Sequence, residues 1–155
     1  MSTLKQTLRD DMTTAMKARD TLTLGTLRMA LAAITTEEVS GDTARELSDA
    51  DVQKVLAREV RKRKEAAEAF AGAGRAELAD KEKAESEVLQ AYLPQQLTDD
   101  EVAALVAEAV AEVAETVGAA PTMKQMGQVV KLAQAKAAGR AEGGRIAGAV
   151  KKALS

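Results

Sequence analysis

The amino-acid sequence predicts an all-α fold with two helical domains. Residues that favour helix, alanine above all, dominate the 155 residues, whereas β-branched runs bounded by turns are absent. Apolar residues recur at spacings of three and four along most of the chain, which is typical of amphipathic helices. This pattern stops at Pro94 and resumes at a clear helix start. We therefore expect an N-terminal long-helix domain of residues 1–95 and a C-terminal domain of residues 96–155.

Two helices are predicted at the start of the N-terminal domain, over residues 3–18 and 21–38. The second carries apolar residues at the 3-4-3 spacing of an antiparallel bundle, namely Leu24, Leu27, Leu31 and Ile34. Gly25 lies inside this pattern, where glycine costs about 1 kcal/mol of helix propensity relative to alanine. We expect this glycine to permit a close helix crossing.

A third and a fourth helix are predicted after a surface loop. Ser48 is placed to cap the third helix, which is expected to run to about Phe70. Glycines at positions 72 and 74 then turn the chain into the fourth helix, at about residues 75–92. Both helices are long and heavily charged, so they are predicted to form a protruding antiparallel hairpin within a four-helix domain.

The joint between the predicted domains is defined by a helix stop and a helix start. Pro94 has no N–H and disfavours helix at the residue before it, so the fourth helix is expected to end there. Thr98 and Glu101 occupy the N-cap and N3 positions of a capping box, while Leu97 and Val102 are spaced for a hydrophobic staple. We expect a stiff junction that carries no chemistry.

Three helices are predicted in the C-terminal domain, over residues 99–117, 123–137 and 141–154. Gly118 fits the C-cap of the first of these helices. Thr122 fits the N-cap of the second, with a glutamine three residues later to complete a capping box. The C-terminal domain is therefore predicted to be a small three-helix unit.

The composition excludes several classes of function. The chain contains no cysteine and no histidine, which excludes disulfide frameworks, thiolate chemistry, histidine-based triads and histidine-ligated metals. Charged residues interrupt the first turns, so no signal-peptide core is present, and no charge-free run approaches the roughly 20 residues of a membrane span. We expect a cytoplasmic protein with no membrane partner, no metal and no cofactor.

The net charge of −2 is divided unevenly along the chain. Residues 1–97 are nearly balanced, with 15 basic and 17 acidic side chains. Residues 98–117 hold six acidic side chains and no basic one, whereas residues 118–155 hold seven basic and one acidic. The C-terminal domain thus joins an acidic helix to a basic segment, and this asymmetry is informative about partners.

Two basic patches are the best candidates for a binding surface. Structured RNA is usually held by phosphate and 2′-OH contacts on its shape, which suits a basic surface without stacking aromatics. Charge runs are also commonly solvated helix faces, and this alternative stays open. The predicted RNA-binding residues are Arg58, Arg61 and Lys62 on the third helix and Lys131, Lys136, Arg140, Arg145, Lys151 and Lys152 in the C-terminal domain.

A glycine pair opens the last predicted helix. Gly143-Gly144 is not a phosphate loop, because it lacks the Walker spacing and a preceding strand. A helix N-terminus beside Arg140 and Arg145 could still bind a backbone phosphate. A plain inter-helix turn is the simpler alternative.

The residues give little support to catalysis. Nucleophilic catalysis of the serine or cysteine type needs an activated serine in a chain without cysteine, and none of the serines lies in a nucleophile setting. The carboxylate pairs Glu37/Glu38 and Asp99/Asp100 could serve as acid and base or hold Mg²⁺, but they lie at helix ends, where the second pair suits the helix dipole. We therefore expect no autonomous catalysis. The five serines are Ser2, Ser40, Ser48, Ser86 and Ser155.

Six short motifs follow one another along nearly the whole chain. They are LRMAL at residues 27–31, EVRKRKEA at 59–66, YLP at 92–94, LTDDE at 97–101, MGQVV at 126–130 and GRAEG at 139–143. In this order and spacing they resemble the YqeY-like protein family. That family shares its layout with the tail of the B subunit (GatB) of glutamine-dependent aspartyl/glutamyl-tRNA amidotransferase. The chain departs from the pattern at Glu142, where the family usually has Asp, and at Ala135, where many members have proline.

The resemblance implies a long-helix N-terminal domain, a three-helix C-terminal domain and a link to tRNA. The GatB tail engages tRNA, and similar modules are appended to some glutaminyl-tRNA synthetases. Tyrosine, leucine and proline at the joint place the family's domain boundary there. Any enzymatic activity implied by the resemblance would be carbon–nitrogen ligation with glutamine as amido donor, but the kinase-like catalytic cradle of GatB has no counterpart in this chain.

Three functions follow from the basic patches, the helical hairpin and the family resemblance. The first is a non-catalytic tRNA-binding module associated with tRNA-dependent amidation, whose partners are tRNA and components of the synthetase or amidotransferase. The second is an adaptor whose helical hairpin binds another protein, with the basic tail serving solubility. The third is an amidotransferase-type enzyme.

Overall fold

The computed structural model describes residues 2–155, and within that range the protein is all-α, as predicted. The chain divides into two compact units, one ending at Leu93 and the other running from Pro94 to Ser155. A domain boundary at residue 95 stays a prediction. The helices are α1 Thr3–Lys17, α2 Thr21–Glu38, α3 Asp49–Gly72, α4 Ala76–Gln90, α5 Asp99–Val117, α6 Met126–Ala137 and α7 Gly143–Leu154, with a single 3₁₀ turn, Met123–Gln125, before α6.

The first unit packs four helices around one apolar core. The apolar face predicted for α2 is the face that packs into the core. Leu27 and Ile34 are fully buried, and Leu24 and Leu31 are half-buried. Caps fix where the helices begin, since the hydroxyl of Ser48 accepts the N–H of Asp51 in the first turn of α3. The buried core consists of Leu8, Leu27, Ala30, Ile34, Leu47, Val52, Val55, Leu56, Val60 and Leu89.

A tight turn joins α3 to α4 in the predicted hairpin. Gly74 adopts a left-handed conformation, with φ of 73°. The backbone N–H of Arg75 donates to the carbonyl of Phe70 at 2.7 Å, and that of Gly74 donates to Ala71 at 3.1 Å. These two bonds form a Schellman motif, which ends the helix. Helix α3 therefore ends at Gly72, two residues beyond its predicted end at about Phe70. The helix that follows is shorter than predicted and ends at Gln90.

The second unit is a three-helix core in which the predicted caps are confirmed. The Thr98 hydroxyl accepts the N–H of Glu101, and the Glu101 carboxylate accepts the N–H of Thr98 in return. Gly118 ends α5 in the left-handed conformation, with φ of 76°. Both residues of the predicted staple are buried in the core, which consists of Leu97, Val102, Val106, Ala109, Val113, Val129, Ala133, Ala137, Ala141, Ile146 and Val150.

The helix predicted over residues 123–137 begins differently from the expectation. Thr122 forms the predicted capping box with Gln125, but the first three residues adopt a 3₁₀ turn before α6 begins. Ala138 ends α6 with φ of 49°, a left-handed conformation that is unfavourable for alanine and was not predicted. The last helix begins at Gly143 rather than at residue 141.

Candidate nucleic-acid interface

Three of the nine predicted RNA-binding residues are exposed lysines without a counter-charge among residues 2–155. Lys131 lies on the outer face of α6, because the neighbouring Val129 and Ala133 are fully buried. Lys151 and Lys152 lie on the exposed side of α7, next to the buried Val150. The described ion pairs and hydrogen bonds involve none of these three side chains. They are therefore available to an anionic ligand.

Lys136, in contrast, is engaged with the acidic helix α5. Its Nζ lies 2.7 Å from Glu112 Oε1 and 3.8 Å from Glu108 Oε2. The hydrogen bond to Glu112 raises the pKa of Lys136 above its ordinary value. This lysine holds α6 against α5 and is not a free phosphate contact.

Arg140 holds in place the segment of the second unit that precedes α5. Its Nε donates to the carbonyl of Gln95 at 2.9 Å, and its own carbonyl accepts the N–H of Leu97 at 2.7 Å. Arg145 donates through Nη2 to Asp99 Oδ1 at 2.8 Å. Because the Asp99 side chain is 99% exposed, that ion pair is worth about 0–1 kcal/mol. The two arginines are therefore unequal candidates.

The start of α7 has features that suit an anion. Glu142 occupies the N-cap, but its side chain makes no capping hydrogen bond. Gly143 and Gly144 are exposed, so the first N–H groups of the helix face solvent. A Cβ built on Gly143 would lie 3.4 Å from the side-chain nitrogen of Gln134, which places the start of α7 beside the face of α6 that carries Lys131.

The predicted patch on α3 is largely neutralised by carboxylates. Arg58 lies 3.1 Å from Glu37, Lys62 lies 3.4 Å from Glu59, and Arg61 lies 3.8 Å from Glu65. These are exposed ion pairs, each worth about 0–1 kcal/mol. Helix α3 thus presents alternating charge rather than a positive surface.

The most buried basic side chain in the first unit, Arg63, was not among the predicted site residues. Only 8% of the Arg63 side chain is exposed, and its Nε lies 3.3 Å from Glu85 Oε2 without the alignment of a hydrogen bond. Its Nη1 donates to the backbone carbonyl of Glu59 at 3.1 Å. Residue 63 lies three residues after the buried Val60 and four before the buried Ala67, so the apolar spacing of α3 already indicated a core position.

Most of the candidate catalytic groups have structural partners. Glu37 pairs with Arg58, Glu38 lies 2.7 Å from Lys5 Nζ, and Asp99 pairs with Arg145. Ser2 and Ser48 cap α1 and α3, respectively. The buried Ser86 hydroxyl accepts a hydrogen bond from Gln90 Nε2 at 2.7 Å. Within residues 2–155, no three carboxylates are grouped so as to hold a metal ion, and no helix has the length and apolarity to cross a bilayer.

Comparison with known proteins supports the resemblance that the motifs indicate. The chain is 33% identical over 92 residues to the uncharacterized protein C22F3.15 of Schizosaccharomyces pombe, a match that covers 59% of this chain and 73% of the yeast protein. The family of YqeY-like proteins matches residues 5–154, which include all seven α-helices except the first two residues of α1. The chain therefore belongs to the YqeY-like protein family.

Proposed function

We propose that this protein is a tRNA-binding module associated with tRNA-dependent amidation and that it is not itself the catalyst. The observation that carries the proposal is the set of exposed lysines without a counter-charge in the second unit, Lys131, Lys151 and Lys152. The family's likeness to the GatB tail supplies the RNA species. The cytoplasm is the matching compartment.

Charge and shape are the proposed basis of recognition. Helices α6 and α7 carry five of the seven basic side chains of the second unit, while six of its seven acidic side chains lie on α5. Lys136 and Arg145 form ion pairs with α5 and neutralise part of its negative charge. The remaining lysines would contact phosphates, which gives affinity without base specificity.

The start of α7 would add a more directional contact. A phosphate placed there would meet exposed N–H groups at the positive end of the helix dipole and the guanidinium of Arg145. Binding would exchange the Arg145–Asp99 ion pair for an Arg145–phosphate pair. Arg140 would contribute its charge while its Nε stays bonded to Gln95.

A filter-binding titration with bulk tRNA at several salt concentrations tests the proposal. We expect the triple variant Lys131→Ala, Lys151→Ala, Lys152→Ala to lower affinity and to reduce the slope of log affinity against log salt by about one per lysine. The matched control removes three exposed lysines of the first unit, with the same change in net charge: Lys17→Ala, Lys54→Ala and Lys83→Ala. No affinity for tRNA at low salt, or equal losses in both triple variants, would overturn the proposal.

A protein–protein adaptor is the second candidate. The carboxylates that neutralise Arg58, Arg61 and Lys62 favour it, because they leave α3 without a net positive face for RNA. Pull-down with and without nuclease separates the two candidates. Partners lost on nuclease treatment support RNA binding, and partners retained support the adaptor.

A further inference from the structure

A groove runs between α2 and α4 on the first unit, and the proposed RNA surface makes no use of it. Its lining comes from one face of α2 and from two charged residues of α4. Leu22 and Met29 form its apolar part and are unusually exposed for their type, at 38% and 44%. They lie seven residues apart on α2, so both side chains lie on the same face of the helix. The lining residues are Thr21, Leu22, Gly25, Thr26, Arg28, Met29, Lys81 and Glu85.

Helix α2 is apolar on two faces, and only one of them is buried within the unit. Leu27, Ala30 and Ile34 bury the first face in the core. The second face bears Leu22, Gly25 and Met29 and continues to the exposed Ala32. Helices that are apolar all round are normally buried, so the exposed face of α2 has the character of an interaction surface.

Gly25 has no intramolecular reason to be glycine. A Cβ built on it meets no atom within 4 Å, so the predicted close crossing does not occur inside this unit. Its backbone is helical, and a helical glycine costs about 1 kcal/mol relative to alanine. The groove floor therefore contains a notch where the backbone of a partner can approach closely.

The charged side chains of the groove favour a partner of a particular net charge. Glu85 lies beside Arg63, which neutralises it. Arg28 lines the groove from α2 and Lys81 lines it from α4. Neither side chain has a hydrogen bond or ion pair within residues 2–155. The groove thus pairs an apolar floor with two positive charges that lack partners, which is complementary to an acidic amphipathic surface.

We propose that the α2–α4 groove docks an acidic amphipathic helix of a partner protein. An apolar side chain of that helix would pack on Leu22 and Met29, a small residue would cross at Gly25, and flanking carboxylates would pair with Arg28 and Lys81. This arrangement is helix-in-groove recognition, in which apolar anchors supply affinity and charges supply selectivity. The proposal is independent of RNA binding, because it uses neither α6 nor α7.

A display library of helical peptides, with apolar seams and randomised flanks, tests the proposal against the full-length chain. We expect selected peptides to be enriched in Asp and Glu at the flanks. Their affinity, measured by fluorescence anisotropy, should fall by about tenfold or more in Met29→Glu, since an anchor residue is lost. The matched control is Met123→Glu, which changes a methionine of similar exposure, 47%, in the second unit and should leave affinity unchanged.

Two further variants separate docking from folding. Gly25→Leu should raise or preserve the melting temperature, because leucine favours helix and the space above the glycine is open, yet it should weaken peptide binding by filling the notch. Arg28→Glu with Lys81→Glu should reverse the selection toward basic peptides. Selected peptides without acidic enrichment, or with affinity unaffected by Met29→Glu, would overturn the proposal. Concentration-dependent dimerisation abolished by Met29→Glu would also overturn it, because the occupant would then be a second copy of the chain.

Discussion

Arg63 and Glu85 form a buried ion pair between α3 and α4, with 3.3 Å between Nε and Oε2 and less than a tenth of either side chain exposed. The guanidinium also lies 3.8 Å from Glu59 Oε1 and donates to Met29 Sδ at 3.7 Å. It therefore connects the hairpin to α2 beneath the groove. A pair in this position contributes little net stability, because desolvation offsets most of the Coulomb attraction.

Arg63→Met should be strongly destabilising. The substitution leaves the Glu85 carboxylate buried without its counter-charge, and breaking a buried pair in this way costs about 3–5 kcal/mol. Urea denaturation followed by circular dichroism measures the loss. The double variant Arg63→Met, Glu85→Leu should recover most of it, since both charges are then removed.

An exposed pair serves as the control for this prediction. Arg58→Ala breaks the ion pair between Arg58 and Glu37. Because the Arg58 side chain is half exposed, the free energy of unfolding should fall by no more than about 1 kcal/mol. Equal losses in Arg63→Met and Arg58→Ala would contradict the distinction between the two sites. A double variant no more stable than Arg63→Met would contradict the prediction, because removing the unpaired carboxylate would then have relieved nothing.

Tyr92 provides a second prediction because it is the only tyrosine in a chain without tryptophan. Its hydroxyl donates to Asp11 Oδ2 at 2.5 Å. Burial, followed by this hydrogen bond and the negative charge of Asp11, raises the pKa of Tyr92 well above its ordinary value of 10.0. The folded state therefore holds the phenolic proton more tightly than the unfolded state, so this stabilisation is complete below the unfolded pKa and is lost as the pH rises beyond it.

An ultraviolet titration of the phenolate measures that shift directly. We expect ionisation to be delayed until the protein unfolds at alkaline pH. Asp11→Asn should lower the pKa only part of the way to its ordinary value, because burial is the larger cause and remains. Ionisation of the native protein at the ordinary pKa would contradict the buried hydrogen bond.

Most of the fold was predictable from local chemistry. The caps at Ser48, Thr98 and Gly118 were predicted because each satisfies backbone groups of its own helix within a few residues. The end of α6 at Ala137 was also predicted, but the left-handed conformation of Ala138 was not, because alanine gains nothing locally from that conformation. The sequence likewise could not reveal whether Gly25 has a neighbour, because that depends on which face of α2 the other helices cover.

The candidate site was predictable as a set of charges but not as a surface. Spacing identified Lys131, Lys151 and Lys152 as basic helix residues, and they are exposed. The same reasoning could not separate them from Lys136, whose partner Glu112 is 24 residues away in the sequence. Ion pairs across helices decide which charges remain available, and these pairs depend on tertiary packing.

Glu101 gives a third prediction, on pH dependence. The N–H of Thr98 donates to its carboxylate, and this hydrogen bond lowers the pKa of Glu101. A lowered folded pKa means that the stabilisation is present above the unfolded pKa and is lost as the pH falls through the folded value. Glu101→Gln keeps an acceptor in the capping box but removes the charge at the N-terminus of α5.

The urea midpoints of the wild type and Glu101→Gln should therefore differ most near neutral pH and converge in acid. Asp20, Asp49 and Asp51 also have lowered pKa values, but they are unchanged in both proteins and cancel in the difference. A difference that is constant from neutral to strongly acidic pH would exclude a charge contribution from Glu101.

The final prediction separates the structural and electrostatic roles of Arg140. Arg140→Ala removes the hydrogen bond from Nε to the Gln95 carbonyl, which should cost about 1 kcal/mol of unfolding free energy. Arg140→Lys should lose similar stability, because an ammonium does not reproduce the planar guanidinium geometry, but it keeps the positive charge. If Arg140 serves tRNA through charge, Arg140→Lys retains affinity and Arg140→Ala does not. If both variants lose tRNA affinity equally while Arg145→Ala loses none, Arg140 acts by holding the Gln95–Leu97 segment in place, and the phosphate contact assigned to the start of α7 is wrong.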